Sequence, residues 1–213
     1  MGSACLLRTE DLCFERDEIK VFDRVNLELN LGDILQIEGS NGSGKTTLLR
    51  LLTTAIQPTS GRILYRDRKI SDCRYEYCSN IVFIGHQIAL KDRLTPVENL
   101  NWMSPIGQTQ NSIYKVLDSV GLREFATAPS SNLSAGQKRR VALARLLISN
   151  AKIWFLDEPF TAIDAQGIGL IKQLIDDHVA KDGAVILSTH QSVGIKNVRR
   201  YSLSHENIGV SHC

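Results

Sequence analysis

The stretch Gly39-Ser40-Asn41-Gly42-Ser43-Gly44-Lys45-Thr46 limits what this chain can fold into more than any other, because it fits GxxxxGK(S/T) between a strand and a helix. Ahead of it, VNLELNLGDILQIE (residues 25–38) alternates apolar and polar positions around a turn at Gly32-Asp33, as strands do. Behind it, TTLLRLLTTAI (residues 46–56, including Thr47) has the length and leucine spacing of a helix, which Pro58 and Gly61 bring to an end. Glycines in such a loop let the backbone fold into a nest of N–H groups around phosphate oxygens. The helix N-terminus adds partial positive charge at the same place. Lys45 reaches the β- and γ-phosphates, and Thr46 offers its hydroxyl to Mg²⁺. The loop therefore predicts nucleotide binding.

A matching second half lies at IWFLDE, residues 153–158. Four apolar residues carry Asp157 and Glu158 to the C-terminal edge of a sheet, where α/β proteins bind ligands. Asp157 suits Mg²⁺ coordination, and Glu158 can polarise an attacking water as general base. Residues 5–14 read as a further strand. IVFIG (81–85) and AVILS (184–188) are short, continuously apolar runs of the kind buried on both faces of a sheet. A helical stretch runs from about Ala165 to Lys181, and strands alternating with helices imply a mostly parallel α/β sheet. The polar segment at about 95–149 reads as a helical subdomain within a single domain covering 1–213.

Composition removes several classes of function. Lys+Arg 25 against Asp+Glu 23 leaves a net charge of +2, too little for a protein that coats nucleic-acid phosphates. No apolar stretch approaches the length of a membrane span, and the N-terminus has neither a signal-peptide core nor a myristoylation pattern, since Leu6 stands where Ser or Thr is wanted. The 5 cysteines form no CxxC pair and the 5 histidines form no HExxH array, so no disulfide framework or protein-only metal site is expected. Reduced thiols fit the cytosol. Cys73 and Cys78, in DCRYEYC, read as an ordinary surface loop.

LSAGQKRRVALARLL (Leu133–Leu147) separates this chain from other phosphate-loop proteins. Ser134 followed three residues later by Gln137 is a capping box, and a helix N-terminus bearing a serine and a glycine is also an anion site. The basic run Lys138-Arg139-Arg140 reads as a solvated helix face. With this stretch the chain resembles the ABC ATPase family over nearly its whole length, LSAGQ standing for the usual LSGGQ signature. Gly39–Thr46 matches Walker A, and Asp157 with Glu158 matches Walker B and its catalytic glutamate. Gln87 falls where the family has its Q-loop glutamine, Thr161–Asp164 resembles the D-loop, and His190 resembles the switch histidine.

The resemblance implies the P-loop ABC ATPase fold: a mostly parallel core sheet, an antiparallel β region and an α-helical subdomain. It also implies two ATP molecules sandwiched between two copies, each between the Walker A loop of one and the Ser134–Gln137 segment of the other. Ser134 and the Gly136 backbone then contact the γ-phosphate across the interface. His190 bonds that phosphate and orients Glu158 and its water, while Gln87 contacts Mg²⁺ and relays nucleotide state to a docked partner. Two departures stand out. Ala135 replaces the first glycine of the signature pair, and Arg16 occupies the position, 29 residues before Lys45, where the family often stacks adenine on an aromatic. A guanidinium plane can stack on a base, with Phe14 close by; an exposed loop charge is the other reading of Arg16.

Within the family, GSNGSGKTTLLRLLT, GHQ at 85–87, LSAGQKRRVALARLL, LDEPFTAID at 156–164 and STHQ at 188–191 resemble the ATP-binding subunits of cytochrome c maturation haem exporters. That resemblance implies a stand-alone ATPase subunit, since only 23 residues follow His190, working as a homodimer on the cytoplasmic side of the inner membrane. It would be held there peripherally by integral membrane subunits docked between Gln87 and residues 95–125. No set of haem ligands is evident, which leaves haem recognition to the partners. Three alternatives remain open at this point: a transporter ATPase for another substrate, a soluble ATP-driven clamp, and a non-hydrolysing module. The presence of Glu158 and His190 argues against the last.

Overall fold

The computed structural model describes residues 4–104, 110–190 and 194–203. In chain order, the elements begin with β1 (Cys5–Arg16), β2 (Ile19–Val25), β3 (Glu28–Asn30), β4 (Ile34–Glu38) and α1 (Lys45–Leu52). They continue with β5 (Ser60–Tyr65), β6 (Arg68–Lys69), α2 (Arg74–Ser79), β7 (Ile81–Ile84), α3 (Pro96–Met103) and α4 (Gln110–Ser119). The last are α5 (Ala135–Ile148), β8 (Ile153–Asp157), α6 (Ala165–Val179), β9 (Ala184–Ser188) and β10 (Val198–Ser202).

Two sheets result. One is wholly parallel in the order β10-β4-β9-β8-β7, and the other is antiparallel, built from β2-β1-β5-β6 with β3 also paired to β1. The parallel sheet carries its apolar residues on both faces, with a period of two. Ile153 and Phe155 of β8 turn toward the antiparallel sheet and the leucines of α1, where Leu48, Leu49, Leu51 and Leu52 are fully buried. Trp154 and Leu156 turn the other way, onto Ala142, Leu143 and Leu146 of α5 and Ile171 and Ile175 of α6. α1 therefore lies between the two sheets, and the phosphate loop that opens it emerges at the C-terminal end of β4.

A third apolar cluster joins Val97 and Leu100 of α3, Ile113 and Leu117 of α4, and Val141, Ala144 and Ile148 of α5. α5 is thus buried on two sides, one against the sheet and one against the helical segment. Thr95 starts α3 with a capping box to Glu98, and the following Pro96 supplies a first-turn φ without leaving an N–H unmet.

The strands at 81–85, 153–157 and 184–188 and the turn at Gly32-Asp33 lie where the sequence places them. The β1–β2 hairpin and β10 lie outside that expectation. The hairpin turns at Asp17 and Glu18, with φ of 52° and 63°, a two-residue primed turn without the Asn-Gly or Asp-Gly signal that marks one in sequence. Cys73 is buried against the first core and caps the start of α2, not exposed in a loop, whereas Cys78 is exposed.

Candidate functional site

The phosphate loop is shaped by what its glycines avoid. A Cβ at Gly44 would lie 2.7 Å from Cγ1 of Val21, and its φ of 94° is the left-handed conformation that lets α1 begin at the next residue. A Cβ at Gly39 would lie 2.4 Å from the Ser43 hydroxyl and 2.8 Å from the Leu203 carbonyl. Inside this turn the Lys45 ammonium donates to the carbonyls of Gly39 at 2.8 Å and Ser40 at 2.9 Å. Burial lowers the Lys45 pKa, while the carboxylates of Glu158 and Asp157 act in the opposite sense. A cation held in a concave loop of N–H donors is a site for phosphate.

Parallel pairing of β8 with β9 sets Asp157 directly beside Ser188. The buried Asp157 carboxylate accepts from Ser188 Oγ at 2.7 Å through one oxygen and from Thr46 Oγ1 at 2.9 Å through the other. Glu158 follows at φ 49°, its N–H donating to the Ser188 carbonyl at 3.1 Å. That left-handed turn swings its side chain away from the strand, and Oε1 is buried without a hydrogen bond among the described residues. Nε2 of the half-exposed His190 stands 3.4 Å from the same oxygen.

These groups surround one cavity of about 600 Å³. Asn41, Gly42, Gly44, Lys45, Thr46 and Thr47 form its floor, and Asp157, Glu158 and His190 form one wall. The β1–β2 hairpin closes the opposite side with Phe14, Arg16 and Val21. Arg16 is open to solvent, its Nε 3.6 Å from Asp17. Ser43 is buried in the loop, and Ser40 is exposed on it. From the loop after β7, His86 lines the cavity, while the neighbouring Gln87 is exposed and outside its lining.

The signature residues lie apart from this cavity. Ser134 caps α5, accepting from Gln137 N at 3.2 Å, while Gln137 Oε1 accepts from Ser134 N at 2.8 Å. Gly136 passes close to the next loop, where a Cβ would sit 3.3 Å from the Ala162 carbonyl. Asp164, the cap of α6, accepts from Gly167 N and from Arg140 Nη2, and both bonds hold its carboxyl below the usual range.

Two participants escape the sequence reading. Ser188 carried a signal in the equal reach of the strands ending at Asp157 and Ser188. Arg139 carried none. The solvated face assigned to Lys138-Arg139-Arg140 is corrected at its middle residue, which is 3% exposed and points inward beneath Glu158. The helix turns by 100° per residue, so one member of a charged triplet can face the core if polar partners await it there. Lys138, by contrast, pairs with the exposed Asp92 at 2.7 Å.

A phosphate loop opening a helix, an acidic strand end beside it and a capped signature helix together define an ATP-binding cassette. The ABC transporter family model matches residues 22–161, and the chain belongs to that family as an ATP-hydrolysing transporter subunit. It is 45% identical over 190 residues to the cytochrome c biogenesis ATP-binding export protein CcmA of Pseudomonas fluorescens, covering 88% of this chain and 90% of that protein. The CcmA protein of Escherichia coli K12 is 44% identical over 201 residues, covering 93% of this chain and 97% of its own. Among solved structures, a putative ABC transporter ATP-binding protein from Pyrococcus furiosus aligns with a TM-score of 0.80 at 28% identity, over 95% of this chain and 99% of that one. An ATP-binding cassette in a dimeric post-hydrolysis state bound to ADP and Pi gives 0.80 at 25% identity, over 93% of this chain and 94% of that one. No helix among the described residues is long and apolar enough to cross a membrane.

Proposed function

We propose that this chain powers the transporter of cytochrome c maturation, hydrolysing ATP to drive haem export or delivery through membrane partners. The reading of the site rests on one observation: a buried Glu158 oxygen without a hydrogen bond, 3.4 Å from His190, at the mouth of the phosphate loop. Leaving a buried carboxylate oxygen unmet is costly unless a ligand completes it, and a water in line with a phosphate would do so. Glu158 then takes the proton of that water, and His190 holds both the carboxylate and the γ-phosphate. Lys45 and the N–H groups of Gly39–Thr47 bind the phosphates. Arg16 stacks on the base at the open rim.

The donor set beside the loop fits Mg²⁺, a hard cation that prefers a few carboxylate and hydroxyl oxygens and keeps its waters. Thr46 Oγ1 and the Asp157 carboxylate are such oxygens, 2.9 Å apart, whereas the Gln87 amide, outside the cavity lining here, would have to turn inward to add a third. When bound, Mg²⁺ neutralises charge on the β- and γ-phosphate oxygens. Asp157 is held ready for it by Ser188.

Ser134, Gly136 and Gln137 lie outside their own chain's cavity, which supports a second copy supplying them across a homodimer. The described part of residues 95–149 serves as the helical subdomain of a single nucleotide-binding domain. Integral subunits of the cytochrome c maturation system dock on it, at the cytoplasmic face of the inner membrane. Trp102 of α3, 70% exposed with the Lys91 ammonium 3.8 Å from its ring centre, supports this reading as an apolar anchor with a cationic edge. No role for nucleic acid or for direct haem ligation follows from these residues.

A strain deleted for the gene will lose holo-cytochromes c while keeping b-type cytochromes, because haem synthesis is untouched. Normal maturation of cytochromes c in that strain would return the protein to the wider class of ABC transporter ATPases with another substrate.

A further inference from the structure

The guanidinium of Arg139 has five N–H donors, and each lies near a backbone carbonyl. Nη1 donates to Gly85 O at 2.8 Å and His86 O at 3.5 Å, at the loop that leaves β7. Nη2 donates to Asp157 O at 3.1 Å and Glu158 O at 2.8 Å, and Nε to Pro159 O at 3.5 Å, at the loop that leaves β8. Among the described residues no carboxylate side chain bonds this buried cation, and its charge is balanced at a distance by Asp157 and Glu158. Burying a guanidinium is costly, and hydrophobic packing alone at this position would need no charge. What this arrangement provides beyond packing is a fixed spacing between two loops.

Both loops carry groups assigned to hydrolysis. Glu158 sits at φ 49°, a conformation uncommon for a non-glycine residue. Its peptide is held from two directions, with its N–H on the Ser188 carbonyl at 3.1 Å and its carbonyl on Arg139 at 2.8 Å. The other end of the guanidinium holds the backbone immediately before Gln87. Arg139 itself rides on the second turn of α5, five residues after Ser134. Lysine could not substitute for this geometry, since an ammonium is a point charge that cannot span five carbonyls in one plane.

We infer that Arg139 is a positioning residue for ATP hydrolysis, clamping the Glu158 turn and the Gln87 loop into one unit attached to the signature helix. It touches neither the phosphates nor the water. Its effect passes through the orientation of the Glu158 carboxylate, so this inference rests on the assignment of Glu158 as base.

The test uses the full chain, with Arg139→Gln and Arg139→Lys measured beside Glu158→Gln. ATP affinity is measured by equilibrium binding and turnover by phosphate release at saturating MgATP. We expect Arg139→Gln to lower kcat tenfold or more while ATP Kd and KM stay within twofold, with Arg139→Lys intermediate. In the Glu158→Gln background, measured in single turnover, adding Arg139→Gln will cost less than threefold further, because the group being positioned is already gone. A purely structural role would instead lower the melting temperature and weaken ATP binding together, in both backgrounds alike. That pattern, or a kcat within twofold of wild type in a folded variant, overturns the inference. If Arg139→Gln does not fold, Arg139→Lys alone decides by the same kcat-against-Kd comparison. Full turnover in Glu158→Gln would reject the base itself, whatever the Arg139 variants do.

Discussion

The hydroxyl of Thr46 donates to the carboxylate of Asp157 at 2.9 Å, joining the first residues of α1 to the last residue of β8 across 111 residues of chain. This bond closes the floor of the nucleotide cavity and sets two oxygen donors side by side. Asp157→Asn keeps the shape and removes the charge. It will abolish the difference between ATP affinity measured with Mg²⁺ and with EDTA, while affinity in EDTA stays near that of the wild type. Retention of the full Mg²⁺ dependence would remove Asp157 from the metal site.

Glu158→Gln and Lys45→Ala separate chemistry from binding. The first removes a proton acceptor and leaves the phosphate cradle intact, so ATP still binds while steady-state hydrolysis falls by about 100-fold or more. Removing a negative charge at the γ-phosphate also favours the closed dimer, visible as a larger species in size exclusion with ATP. Lys45→Ala deletes a charged donor to phosphate and will weaken ATP binding by ~2 kcal/mol, as losing a charge-assisted bond does. Normal turnover in the first variant, or normal ATP affinity in the second, would exclude the assigned role.

Arg16 lines the cavity with Phe14, and its solvent-exposed guanidinium, 3.6 Å from Asp17 at Nε, can turn onto a base. Arg16→Ala will weaken ATP binding by about 1 kcal/mol, and Arg16→Tyr will restore it, since either plane can stack. A site that truly stacks the base will also lose part of its preference for ATP over triphosphate alone in the alanine variant. Unchanged affinity in both variants leaves Arg16 as a surface charge.

Far from the cavity, His178 stacks on Trp154 with ring centres 3.8 Å apart and planes 9° from parallel, its Nε2 at 3.2 Å from the Lys152 carbonyl. Burial lowers its pKa from 6.5 to about 4, helped by the charges of Lys152 and Lys181 and opposed by the backbone hydrogen bonds at Lys152 and Ala184. The unfolded chain therefore binds this proton more readily than the native one. The stability contributed by the neutral ring is complete above pH 6.5 and is lost as pH falls toward 4, on the order of 1–2 kcal/mol after allowing for the ring's partial exposure. His178→Gln will flatten the fall in urea midpoint between pH 7 and pH 4.5, and an unchanged slope would place the pH dependence elsewhere.

The glycine-rich loop, the apolar strands ending at Asp157 and Ser188, and the capping box at Ser134 were legible because each is a local pattern. Turn conformation, period and cap all act within a few residues, and the phosphate chemistry of Lys45 and Thr46 follows from the loop alone. Tertiary structure decided the rest. It placed Ser188 on Asp157, brought a hairpin with no turn signal over the cavity to set Arg16 at its rim, and put His86 rather than Gln87 on its wall. Most of all it buried Arg139, which in sequence is one of three consecutive cations. Whether such a residue faces water or the core depends on polar partners supplied at the ends of β7 and β8, 53 or more residues before it and 18 or more after it. A sequence states which groups can donate and accept. Only packing brings together donors and acceptors so far apart along the chain, because the free energy of burying a charge is set by the atoms that surround it and not by its neighbours in sequence.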